Sequence, residues 1–200
     1  MSGAELVSAI GLLLLTIDPL GNIPSFVSIL KTVPPERRQR VVIRELLVAL
    51  AIMVAFLFAG RQLTGLLGIK PEAISIAGAI MLFLVAIHMI FPAAGRGANS
   101  EAEDNDPFIV PLATPLVAGP ATLVTLVLIS NRPGGMVAGF LALMAAWAVT
   151  FATLLSAPAI MRVLRRRGAR AVERLMGMIL VMLSVQMFLN GLREYLHQQT

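Results

Sequence analysis

The chain has 200 residues, 58% of them hydrophobic and only 14% charged, with a mean hydropathy of +0.86; this excludes an ordinary soluble domain and defines an integral membrane protein. It contains no cysteine, which excludes disulfides, thiol catalysis and cysteine metal sites. The formal net charge of +5 raises nucleic acid as a partner, and the placement of the basic residues decides against it.

Stretches free of Asp, Glu, Lys and Arg cover residues 6–17, 19–30, 46–60, 73–95, 107–131, 133–161 and 175–192. About 20 helical residues cross the hydrocarbon, so with the first two stretches joined across Asp18 the chain reads as six transmembrane helices. Long apolar runs with no period of two argue against a membrane barrel. Residues 1–17 lack a basic leader and a small-residue cleavage signal and carry Glu5, so they are expected to be a retained span.

The first span is interrupted by "DPLGNIP", residues 18–24. Proline lacks an amide hydrogen and collides with the carbonyl four residues back. Pro19 and Pro24 should therefore free the carbonyls of Leu15 and Leu20, while Gly21 permits backbone angles closed to other residues. Asp18 has twelve uncharged residues on each side, which places it near the bilayer midplane, where an ionised carboxylate costs about 2.5–3.5 kcal/mol on insertion scales. No basic residue lies at similar depth in another span, so water, a proton, a coupling cation or a substrate ammonium group is needed to compensate it.

The second span reaches full length only by including residues 41–43, which puts Arg44 and Glu45 near its end, where arginine can snorkel. The third carries His88, read as an interfacial or inter-helix group rather than a proton relay. A polar linker, "GRGANSEAEDNDP", then divides the chain into a first three-helix repeat over 1–94, a linker over 95–106 and a second three-helix repeat over 107–200. Three spans per half force the halves to cross in opposite senses, as two inverted repeats.

The fourth span opens with "TPLVAGPAT", residues 114–122. Set under "DPLGNIPSF", it matches Pro19 with Pro115, Leu20 with Leu116 and Pro24 with Pro120, all at an offset of 96. Helices 1 and 4 are therefore both expected to be discontinuous, with Pro115 and Pro120 freeing the carbonyls of Pro111 and Leu116. Exposed backbone groups persist in a membrane only when buried in protein or lining a wet cavity, so the two breaks should face each other. Half-helix amino ends suit a carboxylate, and loose carbonyls with Asp18 suit an ammonium or a cation. A zwitterionic amino acid fits both, and Ala118, Gly119 and Ala121 favour a small one. Thr16, Asn22, Ser25, Thr114 and Thr122 share these regions, either as ligands or as groups bonded back to their own helices.

In the fifth span "GMVAG" continues into Ala142 and Ala146, a small-residue stripe for close packing, within the chain or against a second copy in a homo-oligomer. Gln186 and Asn190 in the sixth are expected to hydrogen-bond between helices. Of the sixteen Lys and Arg residues, twelve fall in the loops after spans one, three and five, and four (Arg61, Lys70, Arg132, Arg193) on the other side. The positive-inside rule makes the first set cytoplasmic and both termini external. "RVLRRRGARAVER" then reads as a topology signal in contact with anionic lipid, not as a nucleic-acid site.

The motifs "DPLGNIP" and "PLATPLVAGPAT", with six spans over nearly the whole chain, resemble the MarC family, which includes SnatA-type transporters of small neutral amino acids. The resemblance implies a bacterial inner-membrane protein with inverted three-helix repeats and, for the SnatA branch, transport of glycine- or alanine-sized amino acids. Carried over, the family's site is Asp18, Pro19, Gly21, Asn22 and Pro24 with Thr114, Pro115, Ala118, Gly119, Pro120 and Thr122. No cofactor or metal is expected beyond a coupling sodium ion or proton at Asp18. A channel or pore for small polar solutes is the rival reading, since paired half-helices also build pores, and an exporter of another small metabolite is the other alternative. An intramembrane enzyme is disfavoured: Asp18 has no second in-span aspartate, and Gly-x-Ser-x-Gly and His-Glu-x-x-His motifs are absent.

Overall fold

The computed structural model describes residues 3–30, 33–91, 117–131 and 134–197. The polar linker, Thr114 and Pro115 lie outside them, as do the carbonyls of Pro111 and Leu116. Among the described residues the fold is all helical: α1 (Gly3–Ile17), α2 (Ile23–Leu30), α3 (Pro35–Leu66), α4 (Pro71–Ile90), α5 (Pro120–Ser130), α6 (Gly135–Leu155) and α7 (Ala157–His197).

Among the described residues, four segments are long and apolar enough to cross a membrane: Pro35–Gly60, Pro71–Ile90, Gly135–Leu155 and Arg167–His197. They correspond to the second, third, fifth and sixth expected spans. The first span is instead two short helices, α1 and α2, and the described part of the fourth is the 11-residue α5. Uninterrupted helices are thus observed for four of the six expected spans.

Prolines start helices here. Pro35, Pro71 and Pro120 each occupy the first turn of α3, α4 or α5, where the missing amide hydrogen would have had no partner anyway. Past the end of α3, Gly68 takes a left-handed conformation (φ 63°) that stops the helix without a Cβ clash. The 32 residues of α3 would extend about 48 Å at 1.5 Å per residue, well beyond the roughly 30 Å of hydrocarbon, so its first turns, with Arg37, Arg38 and Arg40, can stand outside the apolar layer. A left-handed Arg165 (φ 53°, ψ 178°) breaks α7 and separates a short arm from the long final span.

Apolar burial offers helices little reason to associate in lipid, so close contact depends on small residues and interhelical hydrogen bonds. The fifth-span stripe follows that rule within the chain. Gly135, Gly139, Ala142 and Ala146 are buried along one face of α6, and a Cβ on Gly139 would press on Leu57 and Ile129. Trp147 Nε1 donates to the Leu46 carbonyl at 3.1 Å, tying α6 to α3. The most extensive pairing joins α4 and α7 in antiparallel register: Gly191 lies against Glu72, Ser75 and Ile76, and Gly177 against Ala86, Met89 and Ile90. Ser75 Oγ donates across that seam to the Met187 carbonyl at 3.2 Å.

Further contacts join α1 to α6 and α5, α3 to α5 and α6, α4 to α5 and α2 to α7. At the offset of 96, which sets α2 against α5, α3 against α6 and α4 against α7, exchange of the two sequence halves interconverts the α4–α5 and α2–α7 contacts and returns α3–α6 and α4–α7 to themselves. The larger core is built from α1, α2, α3, α5 and α6 around Leu13, Leu46, Leu57, Leu126 and Leu143, and a smaller one lies between α4, α5 and α7 around Leu82, Ala121 and Leu180.

Candidate functional site at the break in the first span

α1 ends at Ile17 because Asp18 turns left-handed, with φ 46°. That conformation ends helices, and among non-glycine residues Asp and Asn tolerate it best. The Asp18 amide still donates back to the Leu14 carbonyl at 2.9 Å, while the Asp18 carbonyl accepts from the Asn22 amide at 3.1 Å. The chain then re-enters a helix, with the Phe26 amide donating to the Asn22 carbonyl at 2.9 Å. Pro24 stands in the first turn of α2, where proline is tolerated.

This turn folds the Asp18 side chain over itself. The Gly21 amide donates to Asp18 Oδ1 at 3.0 Å. The other oxygen, Oδ2, is buried and has no hydrogen-bond partner among the described residues, and the residue as a whole is 4% exposed. Such an oxygen can take up a proton, a small cation or an ammonium donor once one reaches it. Gly21 is needed for this geometry: a Cβ there would collide with the Asp18 carboxylate and with Met89 Cε of α4. Residue counting along the first span puts Asp18 centrally; its turn lies beside Met89, next to the last residue of α4.

Of the carbonyls expected to be free, that of Leu20 is in use, and so are those of Ile17 and Thr16 at the end of α1. Ile17 accepts from Asn22 Nδ2 at 2.9 Å, Thr16 from Thr122 Oγ1 at 3.1 Å, and Leu20 from the Ile23 amide at 3.3 Å. A buried helix end without partners is costly, and here the sequence supplies them: Asn22 from within the turn, Thr122 from α5. The Leu20 carbonyl is therefore not an open ligand, because Pro24 begins a helix instead of interrupting one.

Of the residues expected to form the site, Asp18, Pro19, Gly21 and Asn22 share the turn, with Asn22 half-buried and the rest buried. Thr122, 1% exposed, bridges to it from the opposite half. Ala118 is buried in the core that includes α1, Gly119 is the half-buried cap of α5, and Pro120 is exposed. The break in the first span is thus tied to α5 by the Thr122–Thr16 hydrogen bond, with Asp18 two residues beyond it.

The burial of two further carboxylates, Glu45 and Glu72, was not expected from the sequence. Glu45 is 6% exposed and accepts from Arg44 Nε and Nη2 at 3.2 and 2.9 Å. Glu72, in the first turn of α4, is 2% exposed, and its Oε1 has no partner. Both stand at the margins of apolar runs, where composition alone reads a charge as interfacial. Among the described residues no group of three His, Asp or Glu side chains is placed to hold a metal ion.

A chain whose described residues form an all-helical bundle, with four segments long and apolar enough to cross a membrane, is an integral membrane protein. The chain belongs to the MarC family of integral membrane proteins, which it matches over residues 3–196. It is 49% identical over 193 residues to the UPF0056 inner membrane protein YhgN of Escherichia coli (strain K12), covering 96% of this chain and 98% of the relative. It is 44% identical over 196 residues to a UPF0056 membrane protein of Buchnera aphidicola subsp. Baizongia pistaciae, covering 96% and 98%. A UPF0056 membrane protein of the archaeon Methanocaldococcus jannaschii is 31% identical over 185 residues, covering 88% and 90%. No solved structure matches the chain.

Proposed function

We propose that this protein is a secondary transporter of small neutral amino acids, of glycine or alanine size, working by alternating access around the broken first and fourth spans. The observation that carries the reading is Asp18: a buried carboxylate at a helix break, with one oxygen held by the Gly21 amide and the other unpartnered. A fixed structural role would leave no oxygen idle in a low-dielectric interior. A site that cycles between loaded and empty states must do so in one of them. Asp18 is accordingly assigned the coupling proton or sodium ion, or the substrate ammonium.

The α4–α5 and α2–α7 contacts, which exchange of the two sequence halves interconverts, support an inverted-repeat architecture, in which one half can rock against the other. The Thr122–Thr16 bond then lies across the seam that must open. Pro19, Asn22, Pro24, Ala118, Gly119 and Pro120 are assigned to that seam, and Thr114 and Pro115, outside the described residues, to the same site, without a cofactor. The inner membrane is the assigned location, as for the Escherichia coli relative, with both termini outside. On the cytoplasmic side Arg167, Arg170 and Arg174 share a groove with Leu175 and Met178, a chemistry suited to anionic lipid.

The test is uptake of labelled glycine and alanine by proteoliposomes carrying the purified protein, with and without proton and sodium gradients. Saturable flux with counterflow supports the carrier, whereas linear, non-saturating flux makes the protein a channel. Absence of flux for every small neutral amino acid overturns the substrate assignment.

A further inference from the structure

Gln186 and Asn190 were expected to bond to neighbouring helices, and the structure turns them outward. Leu180, Ser184 and Met187 form the buried side of α7, and both amides lie on the exposed side. Gln186 Nε2 donates to Asn190 Oδ1 at 3.0 Å, one helical turn along. That bond uses one donor of Gln186 and the acceptor of Asn190. A carboxamide carries two N–H donors and a carbonyl oxygen, so the Gln186 carbonyl and the Asn190 amide group retain hydrogen-bonding capacity. Both residues belong to the segment Arg167–His197 that is long and apolar enough to span the membrane. Gln186 lies within the uncharged run 175–192 and Asn190 near its end; hydrocarbon offers the Gln186 amide nothing, and leaving one there is costly.

The surroundings indicate what covers them. Met182 and Leu189, 66% and 53% exposed, flank Gln186 at spacings of four and three residues, the heptad step by which two helices pack along a seam. The pair carries no charge and displays a carbonyl beside an amide group, so it complements a copy of itself placed parallel about a two-fold axis, the Gln186 carbonyl of each copy accepting from Asn190 Nδ2 of the other. Polar side chains are a recognised glue between membrane helices, and a two-fold contact needs one self-complementary patch. We infer that the Gln186–Asn190 face of α7 is a homodimer interface within the membrane, its occupant a second copy of this chain.

The absence of cysteine makes the test direct, because any introduced thiol is the sole thiol. In native membranes, Met182→Cys and Leu189→Cys should each form a disulfide-linked dimer on copper-phenanthroline oxidation. Leu84→Cys, on the exposed side of α4 (59% exposed), should not. For the purified full chain in lipid nanodiscs or mild detergent, mass measurement should show a dimer. Gln186→Leu with Asn190→Leu should weaken it by about tenfold or more, and Gln186→Asn, which keeps a carboxamide, should weaken it less. Because the leucine pair stays on an exposed apolar face, its monomer should remain monodisperse and fully helical, which separates lost association from lost folding. A monomeric wild-type chain, equal cross-linking at Leu84→Cys, or a dimer indifferent to the double leucine change would each overturn the assignment.

Discussion

Replacing Asp18 by Asn and by Ala separates the charge of that residue from its geometry. Asparagine keeps an acceptor for the Gly21 amide, now 3.0 Å from Oδ1, and tolerates the left-handed backbone at φ 46°. What it removes is the charge, whose cost within a span is about 2.5–3.5 kcal/mol on insertion scales. Asp18→Asn should therefore be as stable as the parent or more stable, by up to that amount where the parent carboxylate is ionised. Alanine loses the hydrogen bond, worth about 1 kcal/mol, and sits in a conformation that costs a β-carbon residue roughly 1–2 kcal/mol. Asp18→Ala should therefore fall below Asp18→Asn by about 2–3 kcal/mol. Unfolding of the three proteins in one detergent gives the stability order, and uptake by proteoliposomes gives activity, which both variants should lose. The reasoning is refuted if Asp18→Asn is destabilised as much as Asp18→Ala, since the charge would then have a structural partner. Unchanged, still coupled uptake by Asp18→Asn would refute the transport role.

Gly21→Ala places a methyl group against the Asp18 carboxylate and Met89 Cε; overpacking of this kind costs about 1–3 kcal/mol, and flux should fall because the carboxylate must move. Pairing it with Met89→Ala, which opens room on α4, should recover part of the stability. Thr122→Val removes the donor to the Thr16 carbonyl. Interhelical bonds of this type average about 0.6 kcal/mol in membranes, so unfolding should shift little while the rate of exchange transport changes; an unfolding shift several times larger would show the bond to be mainly structural. Gly191→Leu drives a side chain into Ile76 and the Glu72 carbonyl and should destabilise the α4–α7 seam by several kcal/mol, seen as a lowered melting temperature. An equal change at Gly65, which has open space around it, should be nearly silent.

The sequence by itself determined the solvent and the secondary structure. Apolar runs of about 20 residues have one stable form in hydrocarbon, the helix, because every peptide group must be satisfied within its own segment. The same rule made "DPLGNIP" legible as a break, since its two prolines would each leave a carbonyl of a continuous helix without its donor, and the chain indeed leaves α1 at Asp18 and resumes at Ile23. Tertiary structure decided how the broken ends are satisfied. Whether the carbonyls of Thr16 and Ile17 stay open or are taken up by Thr122 and Asn22 depends on groups brought within 3 Å, in one case from 106 residues away, and local pattern carries no information about that distance. Burial of Glu45 and Glu72, and the outward aim of Gln186 and Asn190, were decided in the same way. A helix has one sequence but several faces, and its neighbours alone choose which face meets protein and which meets lipid.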